Sequence, residues 1–290
     1  MLVELVDVET SDGVKLNGAL QRPVEQTPSA CGLDAVICVH GSWSNFYGSF
    51  ITGVGRRFVP WGAAALYVNT RGHDGVCNAR GANGMVVLGG AYEIVGDCRH
   101  DVAAWVDFLR ARGYSRIGVL GHSLGAVKAV YALAHSHQAD VKALVAISPP
   151  RLSHAKFRET ERGAEFAKDC ETASELVRQG RERSLMEVRL PLPQVITAAA
   201  YLDKYGPDER YNILRYLDRL TTPSLFVYGG LELGQNAAFG GMDEEIESRR
   251  AALPNLSSAV IAGGDHVYTG VLDALAARIE LWLRRNVAKA

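Results

Sequence analysis

Short apolar runs alternate with longer segments of helical periodicity along most of the chain. Six runs are apolar at nearly every position, as in Val36-Ile37-Cys38-Val39, which predicts strands buried on both faces of a parallel sheet. Between these runs, apolar residues recur every three to four positions. The predicted strands are 35–39, 64–68, 117–120, 143–147, 225–228 and 258–261, and the predicted helices lie around 102–109, 125–136, 243–252 and 271–285. This alternation predicts an α/β fold with a mostly parallel central sheet flanked by helices.

The amino-terminal segment follows a different pattern. Residues 3–8 and 14–20 alternate imperfectly between apolar and polar, and Asp12-Gly13 separates them. An Asp-Gly pair between two such runs is typical of a hairpin turn. We therefore expect an antiparallel ribbon at one edge of the sheet.

The segment from 151 to 220 interrupts this alternation of predicted strands and helices. It holds no buried-type strand run, but residues 154–183 and those around Tyr201 have helical spacing, and Pro191-Leu192-Pro193 separates the two parts. We expect an α/β core from 1–150 and 221–290, with a helical cap inserted at 151–220. The alternative is an ordinary long crossover that contacts no site.

Composition and charge narrow the class of protein. The 290 residues are 48% hydrophobic and 22% charged, as in soluble globular proteins. Net charge is −1, from 31 basic and 32 acidic residues, which gives no reason to expect a nucleic-acid or membrane partner. The odd set of five cysteines suggests reduced thiols. The acidic start lacks the pattern of a signal peptide, and no apolar run approaches the ~20 residues of a membrane span, so a cytoplasmic protein is expected.

The pentapeptide Gly121-His122-Ser123-Leu124-Gly125 lies between a predicted strand and a predicted helix. In that context G-x-S-x-G is typical of a sharp turn that lifts a nucleophilic serine above the sheet edge. Such a turn crowds the positions two residues away on each side, where glycine fits best. The alternative interpretation is a tight turn whose serine only caps the helix.

A nucleophilic serine needs a base, and the base needs a carboxylate. His266 follows the last predicted strand, at the same sheet edge as Ser123, and Glu232 is the first acid after the strand at 225–228. Asp265 is too close in sequence to His266 to orient its ring. The order Ser…Glu…His is typical of one hydrolase fold. The backbone amides of Ser42 and Leu124 are the candidate oxyanion-hole donors.

These motifs together resemble the α/β-hydrolase-fold serine hydrolases, over nearly the whole chain. The resemblance rests on the hairpin, on His40-Gly41, on Arg71-Gly72, on the turn at Ser123, and on Gly229-x-x-Glu232 and Gly264-x-His266. It implies the α/β-hydrolase fold with a cap, the triad Ser123, Glu232 and His266, and an oxyanion hole at Ser42 and Leu124. The family's acid is more often Asp, so Glu232 departs from the usual pattern.

The expected activity is hydrolysis of a carboxylic ester, or of a thioester or lactone, of a small organic molecule. No metal-ligand spacing is present, so neither a metal nor an organic cofactor is expected. Six side chains are expected to contact the substrate: Trp43, Phe46, Tyr47, His122, Met186 and Tyr201. The alternative for each is that it packs the cap against the core.

Two other functions fit the same residues. The triad could cleave a carbon–carbon bond or transfer the acyl group to an acceptor other than water. The protein could also be a sensor that binds a small ligand and turns it over slowly. The sequence does not fix the oligomeric state and leaves a homodimer open.

Overall fold

The computed structural model describes residues 2–24 and 29–288; the remaining positions of the predicted core domain lie outside the described residues. The elements of the described chain are, in order, β1 Glu4–Glu9, β2 Lys15–Gln21, β3 Ala35–Val39, α1 Ser49–Gly55, β4 Ala64–Val68, β5 Cys77–Gly81, β6 Gly84–Leu88, α2 Cys98–Ala111, β7 Ile117–His122, α3 Leu124–His135, β8 Val141–Ile147, α4 His154–Arg158, α5 Gly163–Arg178, β9 Leu185–Val188, β10 Gln194–Thr197, α6 Ala198–Tyr205, β11 Ser224–Gly229, α7 Gly230–Gln235, α8 Met242–Glu247, β12 Leu256–Ile261 and α9 Leu272–Asn286.

The central sheet has eight strands in the order β1-β2-β4-β3-β7-β8-β11-β12. The six strands from β4 to β12 in this order are parallel to one another, and β1 and β2 form an antiparallel ribbon at the edge, whose strand β2 pairs antiparallel with β4. The predicted α/β class, the six parallel strands and the edge ribbon are therefore confirmed. Because the inner strands run the same way, the loops that follow them meet at one edge of the sheet.

Helices cover both faces of this sheet. Helices α2, α3 and α8 bury apolar side chains in the hydrophobic cluster on one face, and α1 and α9 do so on the other. The inner strands supply both clusters, since alternate residues point to opposite faces. Among the described residues, no helix combines the length and the apolar character needed to cross a bilayer.

The insertion segment, residues 151–220, was expected to be helical, but the structure shows that it is only partly helical. It contains α4, α5 and α6, but also the antiparallel hairpin of β9 and β10. Met186 and Val188 are buried in β9, whereas Leu185 and Glu187 on its other face are exposed. This two-residue alternation marks a half-buried strand, a pattern distinct from the continuous apolar runs of the central sheet.

Two further details differ from the sequence-based expectation. The hairpin of β5 and β6 lies apart from the central sheet and was not predicted, although residues 85–88 are all apolar. Met85 is 70% exposed, so this apolar run is not a core strand. The helix expected over 243–252 is α8, which ends at Glu247.

Candidate active site

Ser123 lies in the sharp turn between β7 and α3. Its backbone has φ 55° and ψ −125°, a conformation that non-glycine residues rarely adopt. A Cβ atom on Gly125 would lie 2.3 Å from the carbonyl oxygen of His40, and one on Gly121 would lie 2.3 Å from the carbonyl oxygen of Gly125. Both distances are far below van der Waals contact. The two glycines are therefore what allows the turn to form.

His266 and Glu232 come together from two different loops. His266 follows β12, and Glu232 lies in the first turn of α7, directly after β11. The Nδ1 atom of His266 donates a hydrogen bond to Oε2 of Glu232 over 2.8 Å. The glutamate side chain is 4% exposed, whereas that of His266 is 39% exposed. A buried carboxylate thus holds one nitrogen of an accessible imidazole and fixes its tautomer.

Asp265 is the neighbouring carboxylate, and it is engaged elsewhere. Its Oδ1 atom accepts hydrogen bonds from the backbone N–H groups of Val267 and Thr269, over 3.1 and 2.9 Å. The Thr269 donors in particular lower the pKa of Asp265. Asp265 therefore stabilises its own loop, while Glu232 contacts the imidazole.

His122 and His40 are buried imidazoles beside the serine turn. The Nε2–H of His122 donates to the carbonyl oxygen of His266 over 2.8 Å, and the Nδ1–H of His40 donates to that of Gly41 over 2.8 Å. Burial, followed by the charge of His266, lowers the pKa of His122 to about 3. Burial, followed by the charge of Lys128, lowers the pKa of His40 to about 3. Both rings are neutral near pH 7 and act as fixed hydrogen-bond donors.

The two buried histidines predict a loss of stability in acid. In the unfolded chain each imidazole titrates near pH 6.5, so below that pH the unfolded state binds protons that the folded state excludes. The stability that each neutral imidazole contributes is fully present above pH 6.5, and it is lost progressively as the pH falls from 6.5 toward 3. Between pH 7 and pH 5 the free energy of unfolding is expected to fall by about 2 kcal/mol for each histidine. Urea denaturation at the two pH values measures this change.

Single variants assign that acid sensitivity. His122→Gln and His40→Gln should each remove about 2 kcal/mol of the difference between pH 7 and pH 5. His137→Gln serves as the control, because His137 is exposed. An unchanged difference in both buried-site variants would contradict the assignment.

Two backbone amides are available as oxyanion-hole donors. Leu124 begins α3, where the first amides of a helix lack internal acceptors, and Ser42 follows Gly41 in the loop after β3. Within the described chain, neither amide donates a hydrogen bond to a protein acceptor. Ser42, Leu124 and Ser123 all line one cavity. Such unpaired donors beside a nucleophile can stabilise negative charge on a reacting oxygen.

This cavity lies between the sheet edge and the insertion segment and has a volume of about 470 Å³. Ser123, His266 and Glu232 all line it. No hydrogen bond joins the Ser123 hydroxyl to His266 in the described structure; such contacts are often long before substrate binds. The cavity wall is formed by Ser42, Ser123, Leu124, Pro150, Leu152, Phe157, Pro191, Leu192, Tyr205, Glu232, Gln235, Asn236, Ala238, Phe239, Asp265, His266 and Val267.

None of the six expected substrate contacts belongs to this wall. Tyr201 is fully buried and its hydroxyl donates to the carbonyl oxygen of Leu190, and Met186 is buried in β9. Trp43 packs against Gly90, and Phe46 packs on the cluster that α1 and α9 cover. Tyr47 is 66% exposed, and His122 is buried behind His266. Five of these side chains pack inside the protein and Tyr47 faces solvent, so the expected contacts are corrected: none of the six lines the cavity.

The residues that do form the apolar wall were missed by sequence reasoning. Pro150 and Leu152 follow β8, and the stretch 236–239 follows α7. A signal was present, because loops after parallel strands meet at the same sheet edge as Ser123. Phe157, Leu192 and Tyr205 come from the insertion segment, and only its packing shows that they face the cavity.

The sheet order, the strained serine after β7 and the acid and histidine after β11 and β12 define an α/β-hydrolase fold. The chain belongs to the alpha/beta hydrolase family, whose model matches residues 36–287. It is a hydrolase of that family by fold and sequence. Among the described residues, no cluster of three metal-ligating side chains occurs. No curated protein sequence matches the chain.

Solved structures of similar fold include several esterases. Est1E from Butyrivibrio proteoclasticus has a TM-score of 0.65 at 17% identity, covering 98% of this chain and 99% of its own. The Pyrococcus furiosus esterase Pf2001 has a TM-score of 0.65 at 22% identity, covering 99% and 92%. The alpha/beta hydrolase GrgF from Penicillium sp. sh18 has a TM-score of 0.69 at 15% identity, covering 99% and 100%. At these identities the similarity extends to the fold.

Proposed function

We propose that this protein is a serine esterase that hydrolyses carboxylic esters of small, uncharged organic molecules. The observation that carries the proposal is the 2.8 Å hydrogen bond from His266 to the buried Glu232, in the same cavity as the strained Ser123. A buried carboxylate that orients an accessible imidazole, in the same cavity as a half-buried serine, fits nucleophilic catalysis.

The proposed reaction proceeds through an acyl-enzyme. The Nε2 atom of His266 accepts the Ser123 proton as Oγ attacks the ester carbonyl, and Glu232 stabilises the imidazolium that forms. The amides of Ser42 and Leu124 donate to the oxyanion of the tetrahedral intermediate. The imidazolium then protonates the leaving alcohol, and a water molecule activated by His266 releases the acid.

The cavity wall supports a neutral substrate. Three phenylalanine or tyrosine rings, two prolines and several aliphatic side chains make up most of its apolar part, and Gln235 and Asn236 supply amide groups. The wall holds no lysine or arginine among the described residues, so nothing there compensates a carboxylate on the acyl group. Burying an unpaired charge is costly, which disfavours anionic acyl groups.

We also propose that residues 151–220 form a cap over this site. Phe157, Pro191, Leu192 and Tyr205 from this segment face Ser123 and His266 across the cavity. Side chains of the segment also join the hydrophobic cluster of α2 and α3, so the cap and the core share one apolar interior. Capping excludes water around the ester and limits the size of the acyl group.

A panel of esters tests the proposed function. The neutral p-nitrophenyl acetate and butyrate are expected to turn over at about 1 per second or faster, as ordinary enzymes do. The monosuccinate ester, similar in length to the butyrate but anionic, should have a kcat/KM at least about tenfold lower because its charge is uncompensated. Turnover below about one per minute with tight binding would favour a sensor over an enzyme. Product analysis with added alcohols separates hydrolysis from acyl transfer.

A further inference from the structure

The carboxylate of Glu232 accepts more hydrogen bonds than its contact with His266 requires. Its Oε1 atom accepts from the Ser148 hydroxyl over 2.5 Å and from the backbone N–H of Gly229 over 2.8 Å. Its Oε2 atom accepts from His266. Burial disfavours an ionised carboxylate, whereas hydrogen bonds donated to it favour the charged form. Three donors thus converge on a side chain that is almost entirely removed from water.

The direction of these hydrogen bonds follows from counting protons. An ionised carboxylate can only accept, so the single proton of the Ser148 hydroxyl points to Glu232. The Ser148 oxygen lies 3.0 Å from the hydroxyl of Tyr268, which must then be the donor. The other acceptor near the Tyr268 hydroxyl, the carbonyl oxygen of Val227, is more distant at 3.3 Å. The chain of donors runs from Tyr268 to Ser148 to Glu232.

The backbone at both hydroxyl residues is strained. Ser148 has φ 48° and Tyr268 has φ 55°, and both side chains are fully buried. Tyr268 lies two residues after His266, and the Ser148 amide donates to the carbonyl oxygen of Val227 over 2.7 Å. Residues held in such conformations cost free energy and cluster at functional sites. In this arrangement the Ser148 hydroxyl points at Glu232 and the Tyr268 hydroxyl points at Ser148.

We propose that Ser148 and Tyr268 are positioning residues that form a hydroxyl relay to Glu232. The relay holds Oε1 of the carboxylate and thereby directs Oε2 at the imidazole of His266. This inference rests on the proposed function, because the carboxylate belongs to the proposed triad. Through Tyr268, the relay also connects the loop of the base to the acid, so that both groups are placed by one network.

Several titratable groups surround the relay, and the His266–Glu232 pair is the one whose titration the relay is expected to affect. Burial and the charge of Glu232 raise the pKa of Tyr228 well above its usual value, and burial raises that of Tyr268. Both phenols therefore stay neutral in an assay between pH 5 and pH 9. The remaining charged groups around these side chains are Arg151, Asp243 and Asp265.

The test compares three variants by kcat, KM and the pH profile of kcat/KM on p-nitrophenyl butyrate. Ser148→Ala removes the hydroxyl, Ser148→Gly removes it and also relieves the positive φ, and Tyr268→Phe removes only the outer hydroxyl. Both Ser148 variants should lower kcat by about 10- to 100-fold with little change in KM, as expected for a hydrogen bond to a charged group. Tyr268→Phe should lower kcat by about 3- to 10-fold.

The pH profile separates positioning from a merely structural role. Losing a donor raises the proton affinity of Glu232, so the His266–Glu232 pair takes up its first proton at higher pH. The acid limb of kcat/KM should therefore move to higher pH in all three variants. Tyr67→Phe is the matched control, since it removes a buried hydroxyl that donates to Gln21, and its profile should match the wild type.

Two results would overturn the relay. One is a wild-type kcat and acid limb in both Ser148→Gly and Tyr268→Phe; the other is a loss of kcat in folded variants with an unmoved acid limb. If Ser148→Ala does not fold, the remaining two variants still decide. Ser123→Ala in the same assay keeps the two proposals apart, because its inactivity supports the esterase whatever the relay variants do.

Discussion

Ser123→Ala is expected to lower kcat for p-nitrophenyl butyrate by about 10⁵- to 10⁶-fold, close to the loss seen when a nucleophile is removed from a serine hydrolase. Without Oγ no acyl-enzyme can form, and only the oxyanion donors and substrate binding remain. The methyl group of alanine also fits the turn at φ 55° about as well as serine does. Stability should therefore change little while turnover disappears.

Ser115→Ala is the matched control for that experiment. Ser115 lies just before β7, at the opposite end of the strand that carries Ser123, and its hydroxyl donates to Asp34 on the surface. Its turnover should equal that of the wild type. If Ser123→Ala retained its activity, and substitution of another serine abolished it, Ser123 would not be the nucleophile.

Glu232→Gln is expected to slow ester hydrolysis by about 10⁴-fold. Three donors converge on the two oxygens of Glu232, from Ser148, Gly229 and His266. An amide offers only one oxygen, so its NH₂ group must face at least one of these donors. If it faces His266, Nδ1 becomes the acceptor and the proton moves to Nε2, where it blocks removal of the serine proton.

Steady-state rates and urea denaturation of Glu232→Gln check this result, with Glu244→Gln as the control on the exposed side of α8. The control should keep the wild-type rate. Asp265→Asn is measured beside them, because Asp265 is the other carboxylate in the cavity wall. A wild-type rate in Glu232→Gln together with a large loss in Asp265→Asn would make Asp265 the orienting acid.

The central sheet could be predicted from sequence because its signal is local. Inner strands such as β3 and β8 are apolar at nearly every position, since both of their faces are covered. The turn at Ser123 was equally clear, because Gly121 and Gly125 are required by contacts that any side chain would break. Parallel strands then place the loops holding Glu232 and His266 at one edge without further information.

The cavity wall could not be predicted, because it depends on packing between distant segments. Trp43 and Tyr47 lie close to Ser42 in sequence, yet one packs on Gly90 and the other faces solvent. Phe157 and Leu192 line the cavity, although both lie in the insertion segment, far in sequence from Ser123 and His266. The contact between Ser148 and Glu232 joins residues that are 84 positions apart, and no sequence pattern near Ser148 predicts it.

The central claim is that Ser123 is activated by His266 and attacks carbonyl carbon, and covalent labelling tests it most directly. A fluorophosphonate reacts with an activated serine and leaves an adduct that mass spectrometry locates after trypsin digestion. The tryptic peptide 117–128 contains Ser123 as its only serine, so the assignment is unambiguous. We expect one adduct per chain, on this peptide, and its loss in His266→Ala. An adduct on a different serine, or unlabelled enzyme that still hydrolyses esters, would contradict it.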